Sequence, residues 1–170
     1  LPEAMISRNK EYEQGFISSD EISEHYRTEF PELQHDEFLQ SWNAILLDFP
    51  EYRLKFIQKL AAEKNYKLIL LSNTNKNHIN NIKSRVDFFE DFKNCFDSFY
   101  LSHEIGLRKP DPKIYQFVLD QHNLKAGECL FIDDTKENTD SAAALGFHVW
   151  NLEPTREDII DLFTTKSKLF

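Results

Sequence analysis

The sequence predicts an α/β protein, a parallel sheet with helices on both faces that is entered through an all-helical amino-terminal segment. Three observations predict it. From residue 66 onward, short apolar runs alternate with stretches of helical periodicity, the pattern of a right-handed α/β sheet. Residues 1–65 show helical periodicity alone. The charge divides along the same line: of a formal −9, residues 1–50 hold 11 acids against 3 basic residues, whereas residues 51–170 hold 18 against 17.

In residues 1–15, Glu11, Glu13 and Gly15 suggest the end of a helix. Ser18-Ser19-Asp20-Glu21 then reads as a helix start, with a capping hydroxyl or carboxylate and acids in the first turn. This helix carries Ile22, Tyr26 and Phe30 before Pro31 stops it. Residues 36–48 place Phe38, Trp42, Ile45 and Leu46 on one helical face, and Pro50 fits the first turn of a helix carrying Leu54, Ile57, Leu60 and Ala61. The run Tyr66–Leu71 is expected as a buried strand that breaks into Ser72-Asn73-Thr74-Asn75, four small polar residues suited to a loop opening onto a helix.

The plan repeats: a helix over 76–92, a short strand at Phe99–Leu101, and a turn at Gly106–Pro112 in which two prolines bracket Asp111. Residues 113–122 are helical in period. Leu130-Phe131-Ile132 is too short and apolar for a surface helix and reads as a buried parallel strand ending in Asp133-Asp134. A helix over Thr139–Leu145, closed by Gly146, leads to a strand at Phe147–Trp150 and a last helix over 155–163. The natural boundary lies near residues 50–65.

Composition excludes several classes. A length of 170 residues suits one domain with a modest insertion, and 41% hydrophobic against 29% charged residues is ordinary for a soluble chain. No apolar run is long enough to span a membrane, and no stretch has the order of a signal peptide, so a cytoplasmic protein without a membrane partner is expected. The acidic balance, without a basic stripe, argues against nucleic acid. Cys95 and Cys129 have no partner spacing and are expected as reduced, mostly buried residues. The six histidines, His25, His35, His78, His103, His122 and His148, show no ligand spacing and read as surface or packing residues.

The chemistry lies at the strand ends. Adjacent carboxylates at Asp133-Asp134 repel unless a proton or a hard cation such as Mg²⁺ lies between them. Their other reading is a cap for the following helix. With Ser72–Asn75 and Arg108-Lys109 they make a phosphate site plausible, where a hydroxyl, backbone amides, a lysine from a rigid turn and a metal would stabilise charge on a transferring phosphoryl group.

Leu-Ser-Asn-Thr-Asn ending at Asn75, Gly-Leu-Arg-Lys-Pro-Asp-Pro-Lys-Ile-Tyr ending at Tyr115, and Phe-Ile-Asp-Asp-Thr-Lys-Glu-Asn ending at Asn138 resemble three ordered motifs of the haloacid dehalogenase-like hydrolases. The wording is similar to a subgroup that includes bacterial glucose-1-phosphatase and the epoxide-hydrolase amino-terminal domain. Lys109 follows Ser72 by 37 residues and Asp133 follows Lys109 by 24, and the resemblance covers about residues 16–154.

The resemblance implies a Rossmann-like core over 51–170 and a partial helical cap over 1–50. It implies a Mg²⁺-dependent phosphomonoester hydrolase acting on a small phosphorylated metabolite, such as a sugar phosphate, through an aspartyl-phosphate intermediate. Ser72 and Asn73 would bind the phosphoryl oxygens, Lys109 would offset charge, Asp133 and Asp134 would hold the metal, and Asn138 would support that shell. The family's opening strand, with its nucleophilic Asp, is absent: Asp20, Asp36 and Asp48 lie in helical or turn contexts. The expectation is therefore that the nucleophile lies outside the sequence, its strand being carried by an upstream segment, supplied by another chain or replaced by rearranged structure, and that a chain starting at Leu1 has no turnover and an empty or weakly occupied metal site. A non-catalytic scaffold is the alternative. Haloacid dehalogenation is the lesser one, because it does not need the metal that the acid pair implies.

Overall fold

The computed structural model describes residues 2–170, which form two compact units, the first ending at Arg108 and the second running from Lys109 to Phe170. This division follows packing, and the segment 1–50 expected as a cap lies wholly within the first unit.

The first unit opens with α1 (Glu3–Glu13), α2 (Ser19–Glu29) and α3 (His35–Asn43). Ser18 caps α2 reciprocally: its Oγ accepts from Glu21 N at 3.2 Å, while Ser18 N donates to Glu21 Oε2 at 2.7 Å. The apolar faces of these helices meet in a core of Tyr12, Ile22 and Phe38, packed by Tyr26 and Trp42. Tyr12 and Trp42 lie edge to face at 5.6 Å. The helix expected over 36–48 ends at Asn43 instead. Asn43 Oδ1 accepts from Asn77 Nδ2 at 3.2 Å, and the chain turns there, leaving Ile45 and Leu47 exposed.

Next come α4 (Glu51–Glu63), started after Pro50, then β1 (Ile69–Ser72), α5 (Lys76–Arg85), α6 (Phe89–Lys93), β2 (Ser98–Leu101) and α7 (Ser102–Ile105). The single helix expected over 76–92 is broken at Val86, which is extended (φ −114°, ψ 95°). The break lets α6 restart with Phe89 buried, edge to face against Phe99. A three-residue interruption is too short to disturb the period of the apolar residues.

The second unit holds α8 (Pro112–His122), β3 (Leu130–Asp133), α9 (Lys136–Ala144), β4 (His148–Asn151) and α10 (Leu162–Thr165). Asp111 caps α8 by accepting from Lys113 N at 2.9 Å, with Pro112 in the first turn. The helix expected over 155–163 is only a 3₁₀ turn, Ile159–Asp161, followed by α10. Glu157 explains this, because its Oε2 accepts from Glu153 N and Trp150 Nε1 and so holds 153–157 in a turn.

The strands pair in parallel within each unit, Ile69↔Ser98 to Ser72↔Leu101 in one and Leu130↔His148 to Asp133↔Asn151 in the other. Among the described residues β1 has only β2 as a strand neighbour, and β3 only β4. β1 and β3, expected to be buried, are therefore half-buried along their length. A strand with one neighbour keeps an open edge. No described helix is long and apolar enough to cross a membrane. Both cysteines are free, Cys95 buried and Cys129 half-buried.

His78, on α5, is a packing histidine as expected. It is buried, and its Nε2 donates to the Trp42 carbonyl at 2.9 Å. Burial holds its pKa below the ordinary 6.5, against the opposing influence of that hydrogen bond and of Glu13. The unfolded chain therefore binds the proton first as pH falls, and stability should drop on acidification from the unfolded histidine's pKa down to the lowered folded one. His103 shifts the same way, also through burial. Urea unfolding at pH 7.5, 6.5 and 5.5 checks this, with His78→Gln expected to flatten the dependence; an unchanged slope in that variant refutes the assignment.

Candidate active site at the end of β3

Strand β3 delivers Asp133 to its carboxyl end, the edge at which ligands bind in open α/β sheets. Both carboxylate oxygens of Asp133 are engaged. Oδ2 accepts from Lys109 Nζ at 2.6 Å, and Oδ1 accepts from Thr135 N at 2.8 Å and Asn138 Nδ2 at 3.0 Å. The Lys109 and Asp133 side chains are only 8% and 7% exposed, so this ion pair is withdrawn from water. Lys109 Nζ also lies 5.5 Å from the centre of the Phe131 ring.

Asp134 behaves differently. It is exposed, and its carboxylate makes no hydrogen bond or ion pair with the described residues. Its backbone carbonyl accepts from Asn151 Nδ2 at 3.1 Å, and Asn151 Nδ2 also reaches Asp133 O at 3.3 Å. The parallel register places Asn151 opposite Asp133, so β4 fastens the turn that presents Asp134 outward. The two readings of the acid pair thus separate: Asp133 takes up the amide of Thr135 at the start of α9 as a cap would, and Asp134 keeps its oxygens open.

Asn138, in the first turn of α9, is buried, and Tyr115 on α8 donates from its OH to the Asn138 carbonyl at 2.8 Å. Burial, and secondarily the Asp133 carboxylate, push the Tyr115 phenol up, which keeps it protonated as a donor. Ser141 Oγ donates to the Pro110 carbonyl at 2.6 Å and ties the turn after Lys109 to α9.

In the first unit Ser72 is the last residue of β1, half-buried, with its Oγ 3.5 Å from Asn73 O. The loop it opens is pinned by Ser102: Thr74 N donates to Ser102 Oγ, and Ser102 Oγ donates to Thr74 O, each at 2.9 Å. Asn75 closes the loop by capping α5, accepting from His78 N at 2.9 Å. Arg108 is committed elsewhere. Its Nε and Nη2 reach Glu13 Oε2 at 2.9 and 2.8 Å, leaving Lys109 as the cation of that pair suited to a phosphate.

The structure therefore gathers Lys109, Asp133 and Asn138, with Asp134 beside them, and places Ser72 and Asn73 at the end of β1. Sequence reasoning missed Tyr115, Asn151 and Ser102, each of which acts on a backbone carbonyl or amide far along the chain. Among the described residues no cluster of three or more His, Cys, Asp or Glu could hold a metal. The donor set nevertheless fits Mg²⁺, which is held through one or two carboxylates and keeps several waters. Asp134 offers open hard oxygens, and Asp133 can add a remaining lone pair.

A parallel strand that ends in a lysine-paired aspartate with a second, open aspartate beside it agrees with the resemblance to the haloacid dehalogenase-like hydrolases. Residues 6–146 match the haloacid dehalogenase-like hydrolase family, and the chain belongs to it. Among curated proteins it is similar to D-ribitol-5-phosphate phosphatase of Bacteroides thetaiotaomicron, 30% identical over 148 residues that make 85% of this chain and 70% of that one. A HAD family enzyme of the same organism, solved as a magnesium complex, superposes with a TM-score of 0.80 at 29% identity, covering 90% of this chain and 77% of that one. The same enzyme was solved with magnesium and inorganic phosphate, at a TM-score of 0.78 and 30% identity over the same shares of the two chains. A HAD-like family hydrolase from Porphyromonas gingivalis gives a TM-score of 0.81 at 25% identity, covering 98% and 80%.

Proposed function

We propose that this chain carries the phosphate- and metal-binding machinery of a Mg²⁺-dependent phosphomonoester hydrolase acting on a small sugar or polyol phosphate. The observation that carries the reading is the buried Lys109–Asp133 pair with the open Asp134 carboxylate beside it. Asp134 is the principal metal ligand, Asp133 the lesser one. Bound there, Mg²⁺ would supply charge neutralisation for the phosphoryl oxygens.

The chain's own residues do the rest. Asp133 holds the Lys109 ammonium in a fixed place, and Lys109 offsets negative charge on phosphate and nucleophile. The Ser72 hydroxyl and Asn73 donate to phosphoryl oxygens. Strands β1, β2 and β4 end in Ser72, Leu101 and Asn151, so none presents a second strand-end aspartate. On this reading the attacking carboxylate comes from a strand other than these four. It would form a bond to phosphorus as the substrate's ester oxygen leaves and takes a proton, and water would then cleave the acyl phosphate to restore the carboxylate and release phosphate.

The helical segment 1–50, with its own aromatic core, serves as part of a cap that selects substrate. Kinship with a ribitol-5-phosphate phosphatase supports the substrate class. The two free thiols suit the cytoplasm.

Hydrolysis of p-nitrophenyl phosphate by the protein as its gene encodes it, with and without Mg²⁺, tests the reading. Asp134→Asn should weaken Mg²⁺ dependence by more than the roughly 10- to 100-fold that changes behind the ligands cost. It should leave the fold intact, because the Asp134 carboxylate holds none of the described residues. Metal-independent turnover, no turnover, or an unaffected Asp134→Asn would reject it; no turnover would leave a scaffold protein.

A further inference from the structure

We infer that Tyr115 is a positioning residue for the Lys109–Asp133 pair, acting on both of its members through two separate supports. The inference rests on the functional reading above only for its catalytic consequence. The first support is polar: the Tyr115 OH donates to the Asn138 carbonyl at 2.8 Å, and the Asn138 carboxamide donates to Asp133 Oδ1 at 3.0 Å. The second is aromatic: the Tyr115 ring stands edge-on to Phe131, centroids 5.2 Å apart at 83°, and the Phe131 ring lies 5.5 Å from the Lys109 ammonium. One side chain, 1% exposed, thus fixes the amide that orients the carboxylate and the ring that faces the ammonium.

The geometry gives this a physical basis. A lysine ammonium on four methylenes is intrinsically mobile, and a carboxylate can rotate about its terminal torsion. Asp133 is held from Oδ1 by two donors, one of them the Asn138 side chain. The Asn138 donor is only as fixed as the backbone bearing it. That backbone lies in the first turn of α9, and helix ends fray unless they are tied down. A phenol from the neighbouring helix α8 fastens this turn without competing for either Asp133 oxygen. A tyrosine that merely satisfied its hydroxyl in the core would need only one of these contacts.

Tyr115→Phe removes the polar support and keeps the ring, whereas Phe131→Leu removes the aromatic support and keeps the hydroxyl. Two readouts are independent of turnover: the NMR signal of the Lys109 NH₃⁺ group, visible when the ammonium is held, and the solvent exchange of the Asn138 carboxamide protons. In Tyr115→Phe both should loosen, with amide exchange about tenfold faster and kcat about tenfold lower at a KM within about twofold. Phe131→Leu should loosen the Lys109 signal and leave the Asn138 protons unchanged. Val118→Ala, which opens a cavity in the same helix, should cost stability without moving either signal or kcat.

Wild-type signals in Tyr115→Phe overturn the inference, and so does Val118→Ala losing them equally. If Tyr115→Phe does not fold, an unchanged Lys109 signal in Phe131→Leu overturns it. Absence of phosphatase turnover in the wild type would sink the functional reading alone, since the two NMR readouts still decide the positioning role.

Discussion

Replacing Lys109 by methionine should cost about 3 to 5 kcal/mol of stability, the range for removing one partner of a buried ion pair. The Lys109 and Asp133 side chains are almost fully withdrawn from water, and the pair closes at 2.6 Å. Methionine preserves most of the volume and the contact with Phe131, so the loss comes from stranding the Asp133 charge on Thr135 N and Asn138 Nδ2 alone. Against a typical domain stability of about 5 to 15 kcal/mol this is a large fraction. The contrast is Lys136, whose ammonium meets Asp140 at the same 2.6 Å but with both side chains well exposed. Lys136→Met should therefore cost less than about 1 kcal/mol. The double variant Lys109→Met/Asp133→Asn should recover part of the loss, because the stranded charge is gone. Urea unfolding of the four proteins checks this; equal costs at Lys109 and Lys136 would show that burial does not govern the pair.

The contrast also shows what the sequence could and could not reveal. The alternation of apolar runs with helical periods places Ile69–Ser72, Ser98–Leu101, Leu130–Asp133 and His148–Asn151 within a few residues, because pattern and strand share one physical cause, which face meets the core. The same reasoning puts Asp133 at a strand end and Ser18 at a helix cap, both set by neighbours in the chain. It fails where a distant partner decides. Nothing near Arg108 announces that Glu13 will claim it, and nothing near Tyr115 announces the Asn138 carbonyl. Asp133 and Asp134, chemically identical neighbours, are told apart by Lys109 24 residues away together with the Thr135 amide and the Asn138 carboxamide, all of which engage Asp133. Helix ends fail for the same reason. Ile45 and Leu46 keep the helical spacing of Phe38 and Trp42, yet Asn77 takes Asn43 and the chain turns. A period reports that a face is apolar, and tertiary contacts decide how far the helix bearing it runs.

Gly15→Ala should be the most damaging single-methyl change in the first unit. Gly15 follows α1 at φ +73°, and it completes a Schellman turn in which Phe16 N donates to Glu11 O at 2.9 Å and Gly15 N to Tyr12 O at 3.0 Å. A side chain there carries the left-handed penalty of about 1 to 2 kcal/mol. It also meets a wall: the added Cβ would lie 2.1 Å from the backbone oxygen of His103. Backbone cannot swing aside as a flexible side chain does, so residues 13–15 must move away from residues 103–108. That motion pulls on Gln14 Nε2, which donates to Gly106 O at 3.1 Å, and on the Glu13–Arg108 pair. Gly146 isolates the first term. It too is left-handed, at φ +94°, but its added Cβ would find only Ala126 Cβ at an ordinary 3.7 Å. Gly146→Ala should thus cost the conformational penalty alone, whereas Gly15→Ala should exceed it by at least about 1 to 3 kcal/mol, the scale of locally stored strain. Faster amide exchange at residues 103–108 in Gly15→Ala would locate the damage. If the two substitutions cost the same, the approach of α1 to the His103 carbonyl is looser than 2.1 Å implies, and the brace that ends at Arg108 is not a tight one.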